Sequence, residues 1–164
     1  MGKTRGFYYS IDNINKVEDF GTYALAMYYV KQINASKGKK LLEATLSEAA
    51  YRFENELPSG GLDGLEDFEA HYVRSDLQEV IFFIENDLIP ALNNETQNLL
   101  VKYGGRANFV DLYYTNPDYL IALGVDDDEF YMADPSSIAA FLLDLKDVFE
   151  YSLSVNKPCE VLVY

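Results

Sequence analysis

The side chains of this sequence that could do chemistry are mostly carboxylates, and few catalytic partners accompany them. His71 is the only histidine and Cys159 the only cysteine of the chain. Glu66, Asp67 and Glu69 come shortly before His71, in a composition that would suit an acid–base pair or a metal. One histidine among carboxylates is nevertheless an uncommon zinc ligand set, and it defines neither a Ser-His-Asp nor a Cys-His arrangement. We therefore expect no catalytic residues, no metal and no cofactor.

A second group of carboxylates consists of Asp126, Asp127, Asp128 and Glu129. A calcium loop of the EF-hand type requires a glycine at its sixth position, where Tyr131 stands when the loop is counted from Asp126. The calcium pattern therefore fails. This run is either a solvated turn or a contact surface for a basic partner.

The acidic residues are distributed unevenly along the chain. Residues 58–164 contain 20 of the 27 acidic residues and only 5 of the 13 basic ones, and the formal net charge is -14. Such a field repels nucleic acid and attracts basic partners, although net charge also simply opposes aggregation. We expect a basic protein partner and no nucleic acid.

Tyrosine is the other notable residue type, with 14 copies. Tyrosine supplies rigid contact area with a polar tip at protein interfaces, and it also lines the edges of hydrophobic cores. The predicted partner-binding surface combines tyrosines with nearby acids of the C-terminal two thirds. It comprises Glu66, Asp67, Glu69, Asp111, Tyr113, Tyr114, Asp126, Asp127, Asp128, Glu129 and Tyr131.

Several helices must position these residues. Apolar spacing predicts helices over residues 17–34, 42–57 and 75–90, a short helix between a capping arrangement at 94–97 and Lys102, and a last helix that follows Asp134. Gly38 is expected to break the first helix and Pro90 to kink or end the third. Asp134 should cap the last helix, with Pro135 at its first position.

Aromatic and β-branched residues predict strands over residues 7–9, 108–114, 119–125, 129–132 and 160–164. The fold class that follows is α+β. We expect a single domain over residues 1–164, with about four to five helices packed on a small mixed or antiparallel sheet that the C-terminal half mainly forms.

The compartment is predicted from what the sequence lacks. A lone cysteine excludes an internal disulfide, and the N-terminal residues contain no apolar run of the secretory type. The apolar runs are too short to span a bilayer, and the acidity argues against binding to a membrane surface. We expect a cytoplasmic protein, with Cys159 as a buried and inert thiol before the last strand.

Small size, adjacent aromatics and acidic stretches such as Glu66-Asp67-Phe68-Glu69 and the run from Asp126 to Glu129 resemble the immunity proteins of bacterial contact-dependent growth inhibition systems. The resemblance implies a single cognate partner, the C-terminal toxin domain of a neighbouring effector, which is often a nuclease. An acidic surface would occupy the basic phosphate-binding site of such a domain or bind beside it. An exposed sheet edge could also accept a strand from the toxin.

Two other function classes stay open. One is a small hydrolase that uses paired carboxylates, such as a glycosidase, with tyrosines as its sugar-binding platform. The other is an adaptor module that binds a basic peptide. No pair of carboxylates is singled out by its spacing, which favours binding over catalysis.

Overall fold

The chain begins with a β-hairpin. This computed structural model describes residues 5–55, 65–66, 74–115, 125 and 132–163. Strand β1 (Gly6–Ile11) pairs antiparallel with β2 (Ile14–Asp19) through a two-residue turn at Asp12 and Asn13. Asp12 has a φ of 50°, a left-handed conformation that aspartate tolerates better than most residues. This tight turn lets β2 pair directly with β1.

Strand β4 (Glu160–Val163) pairs antiparallel with the other side of β1, and the short β3 (Leu65–Glu66) pairs with β4. The order of the sheet is β2-β1-β4-β3. The expectation that the C-terminal half mainly forms the sheet is wrong, because the N-terminal hairpin supplies two of its strands. The alternation of Phe7, Tyr9 and Ile11, all buried, gives β1 an apolar face and makes it a central strand.

The helices are α1 (Phe20–Ile33), α2 (Ala35–Glu54), α3 (Arg74–Phe83), α4 (Ile89–Asn93), α5 (Leu99–Lys102), α6 (Arg106–Thr115) and α7 (Pro135–Val155). A π-helical turn, Ile84–Leu88, joins α3 and α4 into one continuous element. If this element is counted once, the described part of the chain has about six helices, rather than four to five. The α+β class and an antiparallel sheet are confirmed.

The prediction that Gly38 breaks the first helix is wrong. Helix α1 ends at Ile33, with Asn34 as its C-cap, and Gly38 lies buried inside α2. A Cβ at Gly38 would lie 3.1 Å from the Cα of Lys31, so the glycine allows the start of α2 to pack closely against the end of α1. The break in α2 lies instead at Leu46, whose φ of -132° and ψ of 67° are not helical.

The predicted strand over residues 108–114 is also wrong, because this segment forms α6. Phe109 and Tyr113 are both buried and are spaced as neighbours on one helical face. A strand would place Asp111 between them on the same buried face, whereas the helix leaves Asp111 exposed. The predicted strands over 119–125 and 129–132 lie outside the described residues, apart from Val125 and Met132, which are not in strands.

Helix α5 is capped by Asn98 rather than by the predicted arrangement at residues 94–97. The Oδ1 atom of Asn98 accepts hydrogen bonds from the amides of Leu100 (2.9 Å) and Val101 (3.4 Å). The helix ends at Lys102, as predicted, and Gly104 just beyond it has a φ of 88°, which suits glycine.

Helix α7 confirms its prediction most closely. Asp134 is its N-cap and Pro135 its first residue. Its predicted apolar stripe is buried, and it packs against the inner face of the sheet, where the ring of Phe141 meets that of Phe7 edge-on at 6.0 Å. Phe7 also stacks on Tyr23 of α1 at 4.2 Å. The core therefore lies between the sheet and the helices α1 and α7.

None of the described helices is both long enough and apolar enough to cross a membrane.

Candidate protein-binding surface

The pairing of β1 with β2 determines which backbone groups of β2 face away from the sheet. The amide of Phe20 donates to the carbonyl of Arg5 at 3.1 Å. Hydrogen-bonding positions alternate along an antiparallel ladder, so the backbone groups of Ile14, Lys16 and Glu18 point toward β1. Those of the intervening residues point outward.

One of these outward amides already has a partner. The amide of Asp19 donates to the Oε1 atom of Glu18 at 2.9 Å. No described residue makes a hydrogen bond with the outward backbone groups of Asn15 or Val17. The middle of β2 is therefore an open sheet edge, a site at which another chain can pair.

The outer face of the sheet carries an apolar row beside this edge. Val17 is 63% exposed and pairs with Tyr8, which is 36% exposed. Tyr8 pairs on its other side with Leu162, which is half-buried. A large exposed apolar side chain at a strand edge marks a position where burial against a partner would be favourable.

On the inner side of the same edge, two acids outnumber one base, the exposed Lys16 of β2. Glu18 of β2 lies near Asp144 of α7 and the phenol of Tyr9. Burial, together with the charges of Asp19 and Asp144, raises the pKa of Glu18, although the hydrogen bond from the Asp19 amide acts in the opposite direction. Burial and the carboxylates of Asp144 and Glu18 raise the pKa of Tyr9, so its hydroxyl stays neutral. We call Val17, Glu18, Asp19 and Asp144 the acidic edge.

The hairpin turn that precedes the acidic edge is fixed to the end of α7. The hydroxyl of Tyr151 donates to Oδ2 of Asp12 at 2.6 Å, and Nζ of Lys157 donates to Oδ1 at 3.2 Å. These two hydrogen bonds lower the pKa of Asp12. A cavity of about 470 Å³ lies beside this contact, with Ser10, Pro158 and Glu160 in its lining. The contact positions β2 against the helical layer.

Most of the described lysines take part in ion pairs. The pairs are Lys37 with Asp87, Lys39 with Glu43, Lys40 with Asp76 and Glu79, Lys102 with Glu95, Lys146 with Glu85 and Glu150, and Lys157 with Asp12. Most of them lie among the helices.

The acids without a described basic partner lie mainly on β2, β4 and α7. Among residues with described side chains they are Glu18, Asp19, Asp111, Asp134, Asp144, Asp147 and Glu160. Most of these unpaired acids therefore lie on and around the sheet and α7, where Lys16 of β2 is a described lysine without an acidic partner among the described residues.

The structure describes only part of the surface that the sequence predicts. Asp111 is exposed on α6, and Tyr114 beside Thr115 is 40% exposed. The Tyr114 hydroxyl accepts from the amide of Val125 at 2.8 Å. Tyr113, in contrast, is 4% exposed and packs against Phe109 and Tyr28, so its ring offers little contact area.

Of the other predicted contact residues, only Glu66 lies within the described ranges. The backbone of Glu66 belongs to β3, where it pairs with Leu162. Asp67, Glu69, Asp126, Asp127, Asp128, Glu129 and Tyr131 lie outside the described residues. Their predicted role as contact residues remains a prediction, as does any role of His71, which also lies outside.

Sequence reasoning missed the acidic edge, although one signal for it was present. The two residues Asp12 and Asn13 stand between Ile11 and Ile14, in the pattern of a two-residue β-hairpin. Reading that hairpin would have identified β2 and its open edge. No sequence signal relates Glu18 to Asp144, because α7 brings them together only in the folded chain.

Two further observations concern the reactive groups of the described residues. The side chain of Cys159 is buried, as predicted. Burial raises the pKa of its thiol to about 12, although a hydrogen bond with the backbone of Ser10 acts in the opposite direction, and the thiol therefore stays protonated near neutral pH. Within the described ranges, no group of three or more His, Cys, Asp or Glu side chains could hold a metal ion.

Comparisons of this chain with protein-family models, with curated protein sequences and with solved structures find no match. The geometry and charge of the acidic edge therefore carry the functional argument.

Proposed function

We propose that this protein acts by binding a basic protein partner. The partner that we favour is a cognate toxin domain, above all a nuclease, which the protein neutralises by direct contact in the manner of an immunity protein. On this proposal the chain has no catalytic activity of its own and works in the cytoplasm, where the toxin would act.

The observation that carries the proposal is the division of charge. Lysines such as Lys37, Lys40 and Lys146 are matched by carboxylates of neighbouring helices. Glu18 and Asp144, near the open edge of β2, have no such match among the described residues. Charges that the fold does not neutralise are available to a partner, and they speed the encounter with a basic one.

A nuclease domain binds phosphates and so presents a basic surface, to which an acidic surface is complementary. Occupying that surface would exclude the nucleic acid by charge and by volume. The exposed Val17 and Tyr8 add apolar contact area, which slows dissociation once the two proteins have met.

The test is capture of the partner from the native cell, followed by measurement of binding and protection. We expect a basic captured protein whose association slows roughly tenfold or more between low and high salt. Its expression should arrest growth, and co-expression of this chain should restore it. A neutral or acidic partner, or a flat response to salt, would contradict the proposal.

Charge variants locate the surface. The pair Asp144→Asn and Asp147→Asn removes two unmatched charges, whereas Glu43→Gln and Glu79→Gln removes two charges that are already paired with lysines. The first pair should slow association with the captured partner more than the second. A greater effect of the second pair would place the contact on the helices instead.

The contact surface predicted from the sequence is tested separately. Replacing Asp126, Asp127 and Asp128 together with Asn removes three charges and preserves the approximate size of the side chains. If that run contributes to the contact, association should slow without loss of the fold. Unchanged association would remove the run from the contact surface.

One observation favours the alternative of a small hydrolase. Glu18 is a half-buried carboxyl with a raised pKa, and it lies near a second carboxyl, that of Asp144. A carboxyl whose pKa is raised by its surroundings can serve as a general acid. Glycoside and ester substrates should be assayed with the wild-type protein and with Glu18→Gln. Turnover by the wild type that this variant loses would favour the hydrolase over the binding protein.

A further inference from the structure

The open edge of β2 has both a donor and an acceptor available for strand pairing. Asn15 and Val17 direct their backbone N–H and C=O groups away from β1. The hydrogen bond from Phe20 to Arg5 sets the alternation along the ladder, in which Lys16 and Glu18 bond to β1 and the residues next to them do not. Val17 is 63% exposed, and none of the described residues bonds to the outward backbone groups of this part of the strand. An extended chain laid along β2 would satisfy these groups.

We propose that β2 accepts an extended basic segment of the partner as an additional strand, centred on Val17. This inference rests on the proposed function, because it takes the basic protein partner as the occupant of the edge. It adds the mode of binding: main-chain hydrogen bonds give affinity, and alternate side chains of the added strand give specificity.

The two faces of the edge determine the sequence that the added strand needs. Its residue opposite Val17 lies on the outer face of the sheet, next to Tyr8, and should be apolar. Its neighbour opposite Glu18 lies on the inner face, near Asp144, and should be lysine or arginine. Because Lys16 shares that inner face, the residue opposite it should be uncharged or acidic. The segment therefore alternates apolar and polar residues, with its basic residue opposite Glu18.

The charge of the chain distinguishes this occupant from a second copy of the same protein. Two copies paired antiparallel about Val17 would place Lys16 opposite Glu18, which is favourable locally. Such a pairing would, however, bring together two chains with a formal net charge of -14 each. A basic segment meets the same edge without that repulsion.

A synthetic peptide with valine at every second position, and with lysine and threonine in turn between the valines, tests the mode of binding, because lysine can then face Glu18 while threonine faces Lys16. Its affinity for the full chain is measured by fluorescence anisotropy at about 150 mM salt, where non-specific attraction beyond about 8 Å is screened. The control peptides have the same sequence, with methyl groups on the backbone nitrogens of the valines or of the residues between them. Methylation keeps the charge and removes the donors, so both methylated peptides should bind less tightly, and the weaker of them roughly tenfold less tightly.

The matched variant is Val17→Pro, with Val17→Thr as its control. Proline removes the outward amide of Val17 and leaves the ladder to β1 intact, an arrangement that edge strands tolerate. Val17→Pro should weaken binding of the unmodified peptide at least about tenfold, whereas Val17→Thr, which keeps the amide, should weaken it less. If Val17→Pro does not fold, the methylated peptides still decide the question.

The outcomes separate this inference from the proposed function. Equal binding of the unmodified and methylated peptides overturns strand addition. A slower association of the captured partner with Glu18→Gln or Asp144→Asn would in that case still support the basic-partner proposal. A concentration-dependent dimer in sedimentation, abolished by Val17→Pro, overturns the inference in favour of self-pairing. Selective binding of the unmodified peptide, together with slower exchange of the Asn15 and Val17 amides, supports it.

Discussion

Tyr151 donates a hydrogen bond of 2.6 Å to Asp12, which joins the last turns of α7 to the turn of the N-terminal hairpin. Lys157 reaches the other oxygen of the same carboxylate. The position of β2, and with it the acidic edge, is therefore held from the C-terminal part of the chain. This arrangement has consequences that can be measured.

Tyr151→Phe should loosen the hairpin turn and lower the stability slightly, because the hydrogen bond is exposed to solvent. The hydrogen bonds lower the pKa of Asp12, so their contribution is present above the unfolded pKa of aspartate and is lost as the pH falls through the lower folded pKa. Urea unfolding at neutral and at acidic pH should show a difference between wild type and variant only near neutrality. An Asp12→Asn background that leaves the effect of Tyr151→Phe unchanged would mean that the two residues are not coupled.

Amide hydrogen exchange should alternate along β2. The amides of Lys16 and Glu18 bond to β1 and should be protected, whereas those of Asn15 and Val17 face outward and should exchange rapidly. Exchange measured by NMR resolves each amide separately. Equal protection of all four would mean that the edge of β2 is covered in solution.

Glu18→Gln should stabilise the fold and weaken binding of a basic partner at the same time. Because burial and neighbouring carboxylates raise the pKa of Glu18, its neutral form is favoured in the folded state, and this contribution is lost as the pH rises through the folded pKa. The gain at neutral pH should be below about 1 kcal/mol, since the group is half-exposed, and it should vanish at low pH. A destabilised variant at neutral pH would contradict this account.

Phe141→Ala should cost about 3–5 kcal/mol, because it removes a buried ring from the centre of the core. Phe141 contacts Phe7, Tyr9 and Tyr23. Leu143→Ala, on the same helix but 40% exposed, is the control and should cost less than about 1 kcal/mol. Denaturant unfolding compares the two, and similar losses would mean that the core does not lie under α7.

The sequence predicts α7 well because every local signal agrees. Asp134 and Pro135 specify its start, and its apolar residues repeat at helical spacing over the whole element. It predicts α6 poorly, since aromatic and branched residues favour strands locally while the burial of Phe109 and Tyr113 selects the helix. The exposed Asp111 between them was the residue that distinguished the two.

The candidate site was less predictable than the fold. Runs of acidic residues are easy to find in a sequence, but an acidic side chain is available to a partner only when the fold places no basic side chain beside it. Glu79 is matched by Lys40, whereas Asp144 has no described basic partner. That difference depends on which helices and strands become neighbours, and no local pattern contains it.

Strand β1 lies between β2 and β4. It can pair with β2 as soon as the hairpin has been synthesised, but with β4 only after α7 has been synthesised. During synthesis on the ribosome, the β4 side of β1 stays unpaired while the rest of the chain emerges. The pairing of Phe7 with Val163 spans nearly the whole sequence, and such distant contacts slow folding. Until β4 is available, the nascent hairpin has two open strand edges, one on β1 and one on β2. A chaperone or the partner itself could therefore pair with an edge of β1 that the finished protein no longer exposes.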